Sequence, residues 1–329
     1  MDTIYHTEYI EFTNKKGMKV VFCNYGAQVY SITLGEDVVS FTLWNRSEQM
    51  KYPNYYGKTI GPITGRIPGG IINGIDGKNI HLKNKKNEGN NILHFSEESL
   101  AYSDFEYTKE EKFGYYKIHF KKDYVDEINN HLFDALVEII YIFYKRENKL
   151  EMIQRVTPKK DTYYSLTNHL FFCLSRKERV TKATLQINAD KVGVLDENKL
   201  LKGYAEVNDV FDFRKPKLIG EDIYKVTPGV TLGYDHPYLL NNSKGPQIIM
   251  KAGKRSLNIT TDYDAVYIYT NNNNDIHERM LQRDYNKRYD GIAIEPQIEP
   301  GNFNKMFIKA NTTREYHTIY EFKEEKKWN

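Results

Sequence analysis

Cysteine is nearly absent: the 329 residues hold two, Cys23 and Cys173. Both lie in apolar or aromatic segments and read as buried thiols rather than as a disulfide or a metal pair. No apolar run approaches the roughly 18 residues that a bilayer-spanning helix needs. The start, Met1-Asp-Thr-Ile-Tyr-His, lacks a basic stretch followed by an apolar core, so no membrane association and a cytoplasmic location are expected. Nor does one sign of charge dominate, since 47 basic and 44 acidic residues give a net charge of +3. That balance lacks the electrostatic footprint of a nucleic-acid or membrane-surface protein and suits a small neutral ligand. The stretches Lys83–Lys86 and Lys323–Lys327 are short and interrupted by Asn or Glu, and read as solvated loop and tail.

Familiar catalytic spacings are missing as well. There is no Gly-x-Ser-x-Gly, Cys-x-x-Cys or His-Glu-x-x-His, which removes the hydrolase elbow and metal chemistry from consideration. The glycines of Gly61-Pro-Ile-Thr-Gly-Arg-Ile-Pro-Gly-Gly match neither a phosphate loop nor a dinucleotide fingerprint.

What is present is a period of two. Tyr116, Ile118 and Phe120 alternate with Lys117, His119 and Lys121, and Ala135–Tyr144 is apolar on both faces except at Glu138. It ends at Arg146-Glu-Asn-Lys and resumes around Leu150, which predicts a hairpin. Further strands are expected at 18–24, 38–43, 183–187, 257–261, 265–270, 291–294 and 316–322. Gly and Asn punctuate the chain at Gly69-Gly70, Asn73-Gly74, Asp76-Gly77, Glu88–Asn91 and Asn271–Asn274. Helix has one reasonable place, Asp275–Tyr285, which reads equally as a polar surface excursion. With no repeat and no linker, 1–329 is expected to be a single all-β domain with very little helix.

Several polar residues stand in places where sites collect. Asn168 and His169 sit inside the aromatic, β-prone run Ser165–Phe172, and His94 follows a Gly/Asn loop. Asp235-His236 reads as a turn, and Arg66 lies in a Gly/Pro-rich segment where its fork could hold a hydroxyl or a carboxylate. Glu295 reads as ending the strand Gly291-Ile-Ala-Ile, ahead of Pro296. Each has an ordinary structural explanation, and together they leave two possibilities, an acid–base enzyme or a sugar-binding sandwich.

In order along the chain, Asn24-Tyr-Gly-Ala-Gln-Val-Tyr-Ser-Ile, Gly57-Lys-Thr-Ile-Gly, Gly65-Arg-Ile and Asn91-Ile-Leu-His are followed by Leu166-Thr-Asn-His-Leu-Phe-Phe. Then come Phe211-Asp-Phe-Arg-Lys-Pro-Lys-Leu-Ile-Gly, Gly233-Tyr-Asp-His and Ile294-Glu-Pro-Gln. This series resembles the galactose mutarotase (aldose 1-epimerase) family from about Asn24 to Phe322. The resemblance implies a twisted β-supersandwich with a cleft across one sheet. It implies that Glu295 is the general base at the anomeric hydroxyl and His169 the general acid at the ring oxygen. His94, Arg66 and Asp235 match the residues that hold the sugar. Opening a hemiacetal needs a base at O1 and an acid at O5, and the same pair closes it again, so no cofactor is called for. For that, Glu295 must be ionised and His169 protonated, with Asp235 favouring the imidazolium, and a bell-shaped pH–rate profile follows. The partner expected is a sugar, and a monomer or a homodimer is expected.

The chain departs from the family pattern at Pro62, where many relatives carry an Arg, at Gly65, where an Asn is usual, and at Cys173, where an Asn is common. The segment Asn272–Arg288 also departs, and reads either as a loop bordering the site or as surface. Two alternatives stand beside the free-sugar epimerase: a hexose-6-phosphate 1-epimerase, and a non-catalytic carbohydrate-binding β-sandwich. A glycosidase or lyase would need a carboxylate pair that the sequence does not identify.

Overall fold

Alternation builds the longest strands of the computed structural model, which describes residues 7–51, 54–226, 230–273 and 277–325. In Tyr115–Tyr124, Ile118 and Phe120 are buried while Lys121 is exposed. In Ala135–Tyr144 the odd-numbered residues all enter the core, whereas the opposite face is only partly covered and leaves Leu136 37% exposed. Residues 145–148 turn the chain into Lys149–Pro158, with Phe143 opposite Leu150.

These strands form the middle of a nine-stranded antiparallel sheet. Its order is Glu106–Glu111, Tyr115–Tyr124, Ala135–Tyr144, Lys149–Pro158, Arg314–Glu324, Arg255–Thr261, Ile248–Ala252, Thr184–Ile187 and Lys217–Leu218. A six-stranded sheet runs Phe171–Phe172, Ile292–Gln297, Ala265–Tyr269, Asp235–Leu239, Lys191–Leu195 and Leu201–Glu206. A four-stranded sheet carries Tyr9–Thr13, Met18–Cys23, Gln28–Leu34 and Asp37–Val38. Apolar side chains of all three meet in one hydrophobic cluster. Phe172 of the six-stranded sheet packs on Tyr320 and Phe322 of the nine-stranded one, and Phe22 of the four-stranded sheet on Tyr141. Helix among the described residues is confined to Arg46–Lys51, Phe303–Met306 and short 3₁₀ turns. Cys23 and Cys173 are both buried, and neither is in a disulfide.

Several expectations change. Within 38–43 only Val38 belongs to a ladder strand. Val39 N–H donates to Ile32 O, and Phe41 N–H donates instead to Phe171 O, so the segment crosses from one sheet to another. Residues 277–285 form turns and single bridges in place of a helix, because their backbone is occupied by that crossing segment: Leu281 N–H bonds Thr42 O and Trp44 N–H bonds Arg279 O. Asp275 lies outside the described residues. The run 165–172 splits into Thr167–Asn168 and Phe171–Phe172, and Asp235-His236 opens a strand instead of forming a turn.

Candidate active site

The six-stranded sheet holds the acid residues at fixed register. Glu295 lies in the interior of Ile292–Gln297, opposite Tyr267, and Asp235 lies opposite Tyr269. Glu295 is therefore a buried carboxyl on a strand, not a strand-end group facing water. Pro296 is tolerated because the strand on that side, Phe171–Phe172, pairs only with Ile292 and Ala293.

His169 sits in the break between two short strands because its backbone is used elsewhere. Its N–H donates to Lys58 O at 2.9 Å and its carbonyl accepts from Gly57 N–H at 2.8 Å. Gly57 has φ +65°, and a Cβ there would lie 2.1 Å from Val29 O, so only glycine permits this approach. The imidazole stacks on Phe171 at 5.1 Å and meets Tyr55 at 5.8 Å and His94 at 5.2 Å between ring centroids. Its Nε2 stands 3.4 Å from Glu295 Oε1, with both groups buried.

Arg66 forks onto Glu88, with Nε to Oε2 at 2.6 Å and Nη2 to Oε1 at 3.0 Å. It also reaches the Tyr267 hydroxyl at 3.1 Å and Asp235 Oδ2 at 3.5 Å. His94 follows the short strand Ile92–Leu93 in a left-handed conformation, φ +53°. Its Nδ1 accepts the Gly65 N–H at 3.2 Å, which leaves the proton of the neutral ring on Nε2. His94, Arg66, Asp235, His169 and Glu295 thus line one cavity of about 360 Å³.

Burial dominates the electrostatics. It pushes the Glu295 carboxyl well above its ordinary range; Asp235 adds to the rise and Arg66 opposes it. It lowers the His169 imidazole to about 4 against an upward pull from Asp235, and it holds His94 neutral, with His169 and Arg66 acting in the same direction. Asp235 favours the imidazolium as expected, but desolvation outweighs it. Burial thus acts against the charged form of both groups, raising the carboxyl and lowering the imidazole.

Other residues of the site had no sequence signal beyond turns and aromatics. Glu88, in a Gly/Asn turn, is the fork partner of Arg66. Tyr55, Tyr267 and Tyr269 line the cavity, as does Lys199. The segment 272–288 borders the cavity through Asn273, Glu278 and Asn286. The Tyr56 hydroxyl and Asn286 Nδ2 both donate to Glu278 Oε2, at 2.8 and 2.7 Å, and Asn271 holds Asn286 in turn at 2.8 Å.

Lys58 has no exposed surface. Its Nζ donates to Asn54 O at 3.1 Å and lies 4.7 Å from the Tyr25 ring centroid. Burial lowers the ammonium to about 7 against an opposing pull from Cys23. The unfolded amine titrates near 10.4, so between about pH 7 and 10 the unfolded chain binds a proton that the folded chain does not. Stability should rise with pH across that window and be level and lowest below it. Lys58→Met is expected to flatten the rise and to stabilise the protein at pH 6 by on the order of 3 kcal/mol, net of the lost bond to Asn54. Urea midpoints at pH 6 and pH 10 check this, and a variant weaker than wild type at pH 6 contradicts it.

A large β-sandwich with an aromatic-walled cavity across one sheet, holding a buried carboxyl–imidazole pair, defines a class of proteins equipped to move protons on a small ligand. The sequence pattern of the aldose 1-epimerase family matches residues 8–321, and the chain belongs to that family. An aldose 1-epimerase of Haemophilus influenzae is 28% identical over 317 residues, covering 90% of this chain and 87% of that protein. One of Streptococcus thermophilus is 22% identical over 321 residues, covering 85% of each. The crystal structure of galactose 1-epimerase from Lactobacillus acidophilus superimposes with a TM-score of 0.88 at 25% identity, covering 97% of this chain and 95% of that one. An aldose epimerase homologue from C. elegans shares the fold with a TM-score of 0.86 at 21% identity, covering 97% and 100%.

Proposed function

We propose that the chain interconverts the α and β anomers of a free aldohexose such as galactose or glucose, with Glu295 and His169 as its acid–base pair. The observation that carries the reading is the 3.4 Å approach of His169 Nε2 to Glu295 Oε1 in a buried, sugar-sized polar cavity. The neutral pair and the carboxylate–imidazolium pair hold the same one proton, so binding can move it from Glu295 to His169 without exchange with solvent. Sugar hydroxyls donating to the carboxylate favour that transfer. Glu295 then takes the proton of the anomeric hydroxyl while His169 protonates the ring oxygen as the C1–O5 bond opens. Rotation about C1–C2 presents the other carbonyl face, and the two protons return in reverse order. Arg66, Asp235 and His94 hold the remaining hydroxyls.

A phosphorylated hexose fits less well. The cavity is lined by four carboxyl groups, Glu88, Asp235, Glu278 and Glu295, against two cations, Arg66 and Lys199. Arg66 is already forked to Glu88, and Lys199 stands 4.0 Å from Asp235. A non-catalytic role is disfavoured because binding alone gives no reason to bury an acid against a base. In this reading residues 1–329 act as one catalytic domain, supported by a hydrophobic cluster running from Ile10 to Phe322. Buried cysteines outside any disulfide, Cys23 and Cys173, suit a cytoplasmic enzyme, working as a monomer or a homodimer.

The pH dependence tests the pair. Below the acid limb it carries two protons and has no base, and above the alkaline limb it carries none and has no acid. The kcat/KM for galactose should therefore follow a bell, with its acid limb near 4 and its alkaline limb well above the ordinary carboxyl range; both values belong to the coupled pair. A rate that does not change across that span contradicts the acid–base assignment.

A further inference from the structure

The bend that carries His94 is costly to make. His94, Phe95 and Ser96 take φ of +53°, +64° and +58° in succession. Residues other than glycine visit the left-handed region singly, because Cβ then crowds the following carbonyl. Three in a row, with a buried phenylalanine in the middle, persist only where the surroundings over-determine them, and such strain gathers where a side chain must be aimed. The bend directly follows the ribbon of Arg66–Ile67 and Ile92–Leu93, the same ribbon that presents Arg66.

The surroundings are a buried polar relay. Asn84 Nδ2 donates to Phe95 O at 3.0 Å and to Glu98 Oε2 at 2.9 Å. Asn84 Oδ1 accepts from Asn129 Nδ2 at 3.0 Å, and Asn129 Nδ2 also donates to Asp126 Oδ1 at 3.0 Å. The Asp126 carboxylate accepts the backbone N–H of Asn129 at 3.1 Å and of Phe133 at 3.3 Å. Phe133 in turn packs edge-on against Phe95, with 4.8 Å between ring centroids.

The carbonyl and the ring of Phe95 are thus held from one loop, residues 125–134, which joins Tyr115–Tyr124 to Ala135–Tyr144 in the nine-stranded sheet. Asn84, Asn129 and Asp126 are 4%, 8% and 1% exposed, so water competes little for these bonds. None of the three lines the catalytic cavity, whereas His94 does. His94 itself is tied to Gly65 through its backbone N–H, 2.9 Å from Gly65 O, and through Nδ1, 3.2 Å from Gly65 N. Both bonds need the backbone at 94 to stay in its left-handed conformation, and relaxation of the bend would swing the imidazole off Gly65.

We propose that Asn84 is a positioning residue for sugar binding: with Asn129 and Asp126 it holds the left-handed bend at 94–96 and so aims the His94 imidazole into the catalytic cavity. This rests on the reading of His94 as a residue that holds the sugar. Asn84→Ala should raise the KM for galactose about tenfold, the worth of one well-placed hydrogen bond. It should change kcat less than about threefold, since Glu295 and His169 keep their surroundings. Added to His94→Ala, the same substitution should move KM less than about twofold, because the side chain through which it acts is gone. Adding Ser96→Gly, which removes the cost of positive φ at one of the three positions, should return the KM of Asn84→Ala toward wild type. Asn129→Ala takes away the support of Asn84 and gives the same contrast where Asn84→Ala does not fold. Equal KM rises with and without the His94 side chain, or a kcat that falls as far as KM rises, overturn the proposal and leave the epimerase reading intact. The nitrogen-15 shifts of the His94 ring need no turnover: wild type should hold the Nε2–H tautomer alone, and Asn84→Ala a mixture of the two. Unmoved shifts overturn the proposal. Shifts that move in a protein that accelerates no sugar contradict the epimerase reading and leave the positioning of His94 standing.

Discussion

Glu295→Gln should abolish at least 99% of the catalysed anomerisation while the protein remains folded. General acid–base groups contribute about 10²–10⁴-fold each, and glutamine keeps the shape of the side chain without its capacity to take a proton. The substitution should cost little stability because burial already favours the uncharged carboxyl. His169→Asn should lose a comparable factor, with some added loss of packing against Phe171 and Tyr55. Because the two groups serve one proton-transfer event, the double variant should be hardly slower than either single one. Polarimetric rates with circular dichroism of each variant check this. Multiplicative losses in the double variant would mean that the two residues act in separate steps.

The second large effect is expected at Arg66. Its guanidinium balances Glu88 and Asp235 and, through space, opposes the rise of the Glu295 pKa. Arg66→Met removes the cation and leaves two carboxylates beside Glu295, at a cost of about 3–5 kcal/mol in stability. It also raises the Glu295 pKa further, which disfavours the carboxylate form and should lower kcat as well as raise KM. Arg66→Lys keeps the charge but cannot fork onto Glu88 while reaching Tyr267 and Asp235. It should fold, with KM raised about tenfold and kcat less affected. Urea denaturation and steady-state kinetics of both variants separate charge from geometry. A lysine variant as damaged in kcat as the methionine one contradicts the assigned role.

The regular parts of the fold were legible because each face of a long strand is either covered or wet. Ala135–Tyr144 has the boundaries that its composition suggested, and the alternation at Ile118 and Phe120 is seen directly in burial. What was illegible depends on partners distant in sequence. The break at His169 follows from its bonds to Gly57 and Lys58. Glu295 was misplaced at a strand end because Pro296 ordinarily stops pairing, whereas here the neighbouring strand is too short to need its N–H.

Composition says least where buried polar groups satisfy one another. The Asn-rich segment 272–288 carries no apolar pattern, yet Asn286 is buried because Asn271, Tyr56 and Glu278 complete its hydrogen bonds. Glu88 looked like an ordinary turn residue, since nothing in a Gly/Asn loop marks the arginine 22 residues earlier as its fork partner. Lys58 likewise gave no sign of burial, because lysine is almost never buried. The five residues singled out from motif order, His94, Arg66, Asp235, His169 and Glu295, do share one cavity. Their charge states could not be read from order alone, because burial sets them.

The most direct test of the central claim is the optical rotation of freshly dissolved α-D-galactose and α-D-glucose with and without the wild-type protein. The account predicts that catalytic amounts of protein speed the approach to the same final rotation, at a rate proportional to protein concentration, with at least one of the two sugars. Decay at the buffer rate with both sugars would contradict it.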